Sequence, residues 1–88
     1  NDFQLIDVRN QYEHNIASLE GLLIPLDDLD QRVSEIPTDK TTIFYCRSGI
    51  RSAKAIKKLQ KLGFKNLFNL KGGIMEWAEK INPSLPRY

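Results

Sequence analysis

Thr41-Thr42-Ile43-Phe44-Tyr45-Cys46-Arg47-Ser48-Gly49-Ile50-Arg51-Ser52 changes character at Cys46. Its first five residues are β-branched or aromatic, the composition of a buried parallel strand. Beyond the turn, a helix is expected from about Arg51, with Ala55, Ile56, Leu59 and Leu62 on one side and Gly63 as a left-handed C-cap. Lys58 and Lys61 suit the negative end of that helix's dipole. Working outward, Phe3 to Val8 and Leu67 to Leu70 read as further strands, and Leu22-Leu23-Ile24 as a weaker fourth. Asp27 or Asp28 is expected to cap a helix carrying Leu29, Val33 and Ile36 and stopping at Pro37. Gly72-Gly73 leads into a short amphipathic helix with Ile74, Trp77, Ala78 and Ile81, ended by Asn82-Pro83, and Trp77 is expected in the core. Alternating strands and helices predict an α/β fold with a central, mainly parallel sheet.

The chain has 88 residues, 41% hydrophobic and 27% charged, which is one ordinary globular domain over residues 1–88. It reads as a piece of a longer chain whose N-terminal part is missing. A single Cys excludes an internal disulfide, and with a single His it leaves no Cys/His zinc cluster, so no metal is expected. A lone thiol and an N-terminus without signal-peptide character point to a reducing, cytoplasmic setting. No apolar run approaches the roughly 18–20 residues that span a bilayer, so no membrane partner is expected.

Charge is unevenly distributed. Residues 1–39 hold nine acids and two bases, whereas residues 40–75 hold nine bases and no acid. Lys54, Lys57, Lys58 and Lys61 are either the solvated face of one helix or an electropositive face for anionic partners. Nucleic acid is not expected, because that stretch lacks interleaved aromatics.

Cys46 lies where open α/β sheets bind ligands, at the carboxyl end of a strand. A turn into a helix N-terminus, with Gly49 allowing an unusual backbone angle, can aim successive N–H groups at one point. Arg51 and Arg47 add positive charge, and such surroundings lower a thiol pKa and make the thiolate a nucleophile. Taken alone, a lone Cys at a strand end is more often a small buried apolar side chain.

The loop Cys46-Arg47-Ser48-Gly49-Ile50-Arg51-Ser52 resembles the active-site loop of rhodanese-like sulfurtransferases. Asp7-Val8-Arg9 matches the family's Asp-Val-Arg at the end of its first strand, and Gly72-Gly73-Ile74-Met75-Glu76-Trp77 its Gly-Gly-x-x-x-Trp. The resemblance implies a three-layer α/β/α fold and a catalytic Cys46 that carries sulfane sulfur as a covalent persulfide, without a cofactor. It implies that the backbone of Arg47 to Ser52 cradles the outer sulfur, that Arg51 attracts anionic groups, and that Asp7 and Arg9 support the site. Arg9 and Glu13 match a family pair near the site, or simply hold the first loop together; His14 is read as structural. Leu19-Glu20-Gly21-Leu22 departs from the family's Ile-Pro-Gly-Ala-like segment, and the strand and helix that usually precede Asp-Val-Arg are absent.

By the same resemblance the sulfur donor is thiosulfate or a cysteine desulfurase. The tail Asn82-Pro83-Ser84-Leu85-Pro86-Arg87-Tyr88 resembles the end of the rhodanese domain in adenylyltransferase–sulfurtransferases of the molybdopterin and thiamin pathways. That parentage implies as acceptor the C-terminus of a ubiquitin-like sulfur carrier, which becomes a thiocarboxylate. Two other readings stand beside this one. The first is a non-catalytic binding or regulatory module, against which the intact loop argues. The second is a phosphatase or arsenate reductase, which the Cys-x4-Arg spacing disfavours because related phosphatases use Cys-x5-Arg.

Overall fold

A computed structural model describes residues 3–86. Four parallel strands form the sheet: β1 (Phe3–Asp7), β2 (Leu22–Leu23), β3 (Thr41–Tyr45) and β4 (Leu67–Asn69), in the spatial order β2-β1-β3-β4. Helix α1 (Gln11–Ile16) lies between β1 and β2, α2 (Ile50–Lys61) between β3 and β4, and α3 (Gly73–Lys80) after β4. β1 and β3 pair along their whole lengths, from Phe3 opposite Thr41 to Asp7 opposite Tyr45. From β1 the chain turns to one side of the sheet, to β2, and from β3 it turns to the other, to β4. The carboxyl ends of β1 and β3 therefore flank the point where the strand order reverses, which is where a crevice opens in such sheets.

Side-chain alternation sorts the core into two layers. Ile6, Val8, Phe44 and Cys46 point to one face, where they pack with Ile24, Leu29, Ile36, Ala55 and Leu59. Tyr45 points to the other face and packs with Ala17 and Ile74, with half-buried Leu5, Leu19, Leu70 and Leu85 around them. The sheet thus lies between α2 with the β2–β3 connection on one side and α3 with the segment after α1 on the other, the three-layer arrangement expected from the motifs.

Three expectations are corrected. The segment before Pro37 forms two 3-10 helices, Leu26–Gln31 and Val33–Glu35, rather than an α-helix capped by Asp27 or Asp28. Its closing bonds run from Arg32 N–H to Leu29, from Glu35 to Arg32 and from Ile36 to Val33, all i to i+3. Leu26 and Leu29 are three residues apart, as a 3-10 turn requires, and the break at Arg32 resets the phase so that Val33 and Ile36 also face inward. Trp77 is 37% exposed and lines an open apolar groove of about 290 Å³ with Leu5, Leu19, Ile43 and Leu70, because α3 covers only part of its face of the sheet. Leu62 is 61% exposed, while Leu59 is 1% exposed.

The last difference follows from how α2 ends. Gly63 takes φ +95°, its N–H bonds to the Gln60 carbonyl, and the N–H of Phe64 reaches back to Leu59. This left-handed termination turns the chain at Leu62 and brings Phe64 against the core instead. Leu59→Ala is expected to cost about 2–5 kcal/mol in urea unfolding, whereas Leu62→Ala should stay within about 0.5 kcal/mol of the parent protein.

Candidate active site

Cys46 is 1% exposed and leaves β3 at the reversal point of the sheet. Its Sγ accepts the N–H of Gly49 at 3.0 Å and that of Ser52 at 3.4 Å, and the Ser52 hydroxyl lies 3.5 Å away. The loop bends back on the sulfur because Gly49 adopts φ +111°, where an L side chain is strained although there is space for one. Burial by itself pushes the thiol up. Hydrogen bonding at Ser52, at its side chain and its N–H, and the N–H groups of Gly49 and Ser48 outweigh it and hold the Cys46 pKa below its ordinary value.

The N–H groups can converge on the sulfur only if the loop's carbonyls point elsewhere and find donors. The first turn of α3 supplies them: the N–H of Ile74 bonds to the Cys46 carbonyl at 2.9 Å, and that of Met75 to the Arg47 carbonyl at 3.1 Å. A Cβ at Gly73 would stand 2.5 Å from both carbonyl oxygens, so this approach requires glycine. The Gly72-Gly73 pair is a strand-to-helix turn, as expected, and in addition a docking surface for the loop. On the other side, the Gly49 carbonyl accepts from Asn69 Nδ2 and the Ala53 N–H, each at 3.1 Å, and the Ser52 hydroxyl oxygen lies at the same distance.

The basic residues are deployed differently from expectation. Arg51 forms a two-pronged bond with Glu13, 2.7 Å from Nη1 to Oε1 and 2.9 Å from Nη2 to Oε2. Glu13 is buried, and its Oε1 also accepts the Asn10 N–H at the start of α1. The Arg51 hydrogen bonds hold the Glu13 carboxyl below the usual carboxylate range in spite of its burial. Arg51 is therefore a strut between α2 and α1, its charge balanced locally, rather than an open anion trap.

Arg9 pairs with Asp7 and not with Glu13. Its Nε and Nη2 bond to the two Asp7 oxygens at 2.9 and 2.8 Å, Nη2 also reaches the Ala17 carbonyl, and its guanidinium lies over the Tyr45 ring. Only Val8 separates Arg9 from Asp7 at the end of β1, so the fork closes locally, while α1 turns Glu13 toward α2. His14 Nδ1 is 2.8 Å from Asp7 Oδ2 and belongs to the same buried network. Asp7 and Arg9 thus hold the neighbouring loop.

Arg47 and Ser48 are exposed, as is Ile50 at 67%, so the outer rim of the loop faces solvent. Lys54, Lys57, Lys58 and Lys61 share a cleft of about 460 Å³ with Leu26 and Asp27. Across it Lys58 bonds to Asp30 at 3.2 Å, so acids of the 3-10 segment offset part of the lysine charge. Sequence reasoning missed Glu13 as the partner of Arg51, Gly73 as the seat of the loop carbonyls, and Asn69. Each contacts the loop from 17 or more residues away, and no local pattern announces such a pairing.

A family model described as Rhodanese-like domain matches residues 1–80. The chain is 38% identical over 87 residues to the probable adenylyltransferase/sulfurtransferase MoeZ of Mycobacterium tuberculosis, covering 96% of this chain and 22% of that protein. It is 38% identical over 78 residues to a sulfurtransferase of Allochromatium vinosum, covering 88% of this chain and 73% of that protein. A rhodanese-related protein from Thermoplasma volcanium superposes with a TM-score of 0.85 at 30% identity, covering 99% and 86% of the two chains.

Gly73→Ala is expected to remove about 1–3 kcal/mol of stability and to slow thiolate-specific alkylation of Cys46 at neutral pH. Gly63→Ala, whose Cβ would meet nothing within 4 Å, should cost stability alone. Equal alkylation rates in the two variants would separate the α3 contact from the state of the sulfur.

Proposed function

This chain belongs to the rhodanese-like domain family, which includes relatives named as sulfurtransferases, and from that premise we propose that Cys46 carries sulfane sulfur as a persulfide. The observation that supports this most is the buried sulfur held by the N–H groups of Gly49 and Ser52. A thiolate so stabilised attacks without a general base. With thiosulfate, Cys46 Sγ attacks the outer sulfur, a new S–S bond forms, the bond to the sulfonate sulfur breaks, and sulfite leaves with the electron pair. With a cysteine desulfurase, the leaving group is that enzyme's cysteine thiolate. In either case the sulfur pair on Cys46 retains a negative charge in the same N–H cradle. No cofactor is needed, because the sulfur itself is the group carried.

In the second half-reaction an acceptor takes the outer sulfur. A small nucleophile such as cyanide attacks it, breaks the S–S bond and returns the Cys46 thiolate. For a protein acceptor, the name of MoeZ joins adenylyltransferase to sulfurtransferase and supports a carboxyl terminus activated as an acyl adenylate, as on a ubiquitin-like sulfur carrier. The outer sulfur would attack the acyl carbon and displace AMP. A second thiol would then attack Cys46 Sγ, releasing the thiocarboxylate and leaving a disulfide on Cys46 for a further thiol to reduce.

Phosphatase chemistry is less well supported. The Arg51 fork that would bind two phosphate oxygens is occupied by Glu13, and a phosphate would have to displace a buried carboxylate. Cys46→Ser is expected to abolish thiosulfate-to-cyanide sulfur transfer, by at least about a thousandfold given the gap in nucleophilicity between thiolate and hydroxyl, while retaining the fold. Full transfer activity in that variant would sink the proposal, and Cys46-dependent turnover of an aryl phosphate would favour the phosphatase reading.

A further inference from the structure

Asn69 closes β4 beside the catalytic loop and lies outside the sequence motifs: it belongs neither to the Cys46–Ser52 stretch nor to the Gly72-Gly73 pair. Its side chain makes two bonds to that loop. Nδ2 donates to the Gly49 carbonyl at 3.1 Å, and Oδ1 accepts from the Ser52 hydroxyl at 2.5 Å. The opposite amide orientation would set an oxygen against the Gly49 carbonyl oxygen, so the network itself selects this one. The backbone beneath is rigid, because Asn69 is in register with Phe44 of β3 and the next N–H, of Leu70, bonds to the Phe44 carbonyl at 2.9 Å.

Gly49 and Ser52 also both donate their N–H groups to Cys46 Sγ. Ser52 is fully buried and has one hydroxyl proton, with Asn69 Oδ1, the Gly49 carbonyl and Cys46 Sγ all within reach. Oδ1 is the nearest of the three and takes that proton, so Asn69 acts on the sulfur through where it holds the Gly49 and Ser52 backbones and not through the hydroxyl. We propose that Asn69 is a positioning residue for Cys46: by gripping the Gly49 carbonyl and the Ser52 hydroxyl together, it keeps both N–H donors on the sulfur and so sustains the thiolate. The proposal deepens the sulfurtransferase reading and rests on it for its meaning in catalysis, but the predicted state of the thiol does not depend on any sulfur donor.

The test is the pH profile of Cys46 alkylation by iodoacetamide in the parent protein, Asn69→Ala, Ser52→Ala and the double variant. The charged groups around the loop, namely Arg47, Arg51, Glu13, Asp7, Arg9, His14 and Glu76, are the same in all four, so differences report on hydrogen bonding. Asn69→Ala is expected to raise the midpoint by about one pH unit, a tenfold loss of thiolate below both midpoints. The double variant should shift the midpoint by less than the sum of the two single effects, because Asn69 acts partly through Ser52. Amide exchange at Gly49 should quicken while that at Phe44 stays slow, which a general loss of stability would not produce. If alanine unfolds the chain, Asn69→Ser, whose side chain falls short of Gly49, carries the same expectation. An unchanged midpoint, or effects of Asn69→Ala and Ser52→Ala that simply add, overturns the proposal. A shifted midpoint in a protein that never takes up sulfur would leave it standing and remove the sulfurtransferase reading instead.

Discussion

The sulfur of Cys46 can be an anion in a dry site only if the peptides around it are turned with their N–H groups inward, and the fold is arranged around that requirement. The carbonyls of the same loop must then be satisfied on the outside. Those of Cys46 and Arg47 end on N–H groups of α3, and that of Gly49 on Asn69 and Ala53. The loop is therefore gripped from two directions by elements that follow it in the chain. Its shape does not depend on the loop's own stiffness.

Charge has a different part from the one that composition implies. An excess of bases in residues 40–75 invites a picture of an open electropositive site, yet Arg51 in the first turn of α2 is paired with a buried carboxylate. Stabilisation of the thiolate then falls mainly to neutral N–H dipoles at short range. Such dipoles are fixed by the fold and are not screened by salt as exposed lysines are. The Glu13–Arg51 strut also joins α1 to α2 across the carboxyl end of the sheet, and the Asp7–Arg9–His14 network braces the neighbouring loop. Ionic groups here serve geometry.

Much of this was legible in the sequence wherever the determinant was local. The strand before Cys46, the glycine at position 49 and the apolar stripe of α2 are each set by neighbours a few residues apart, and the three motifs placed the chain in its family. What was not legible depends on small differences or on distance. Leu29, Val33 and Ile36 fit an α-helical spacing as well as they fit two 3-10 turns with a break at Arg32, and only the path between β2 and β3 decides between them. Trp77 has the period of a core residue, but α3 is too short to seal its side of the sheet. The choice of partner for Glu13 between Arg9 and Arg51 rests on where α1 aims its third residue. Asn69 looked like the end of a strand and nothing more, since its two contacts lie 17 and 20 residues away.

The most direct test of the central claim is the intact mass of the protein under non-reducing conditions after incubation with thiosulfate, beside Cys46→Ser. The account predicts a gain of one sulfur atom that cyanide or a thiol removes, absent in the variant. No gain from thiosulfate, and none from a cysteine desulfurase supplied with cysteine, would contradict it and leave the loop as part of a binding module.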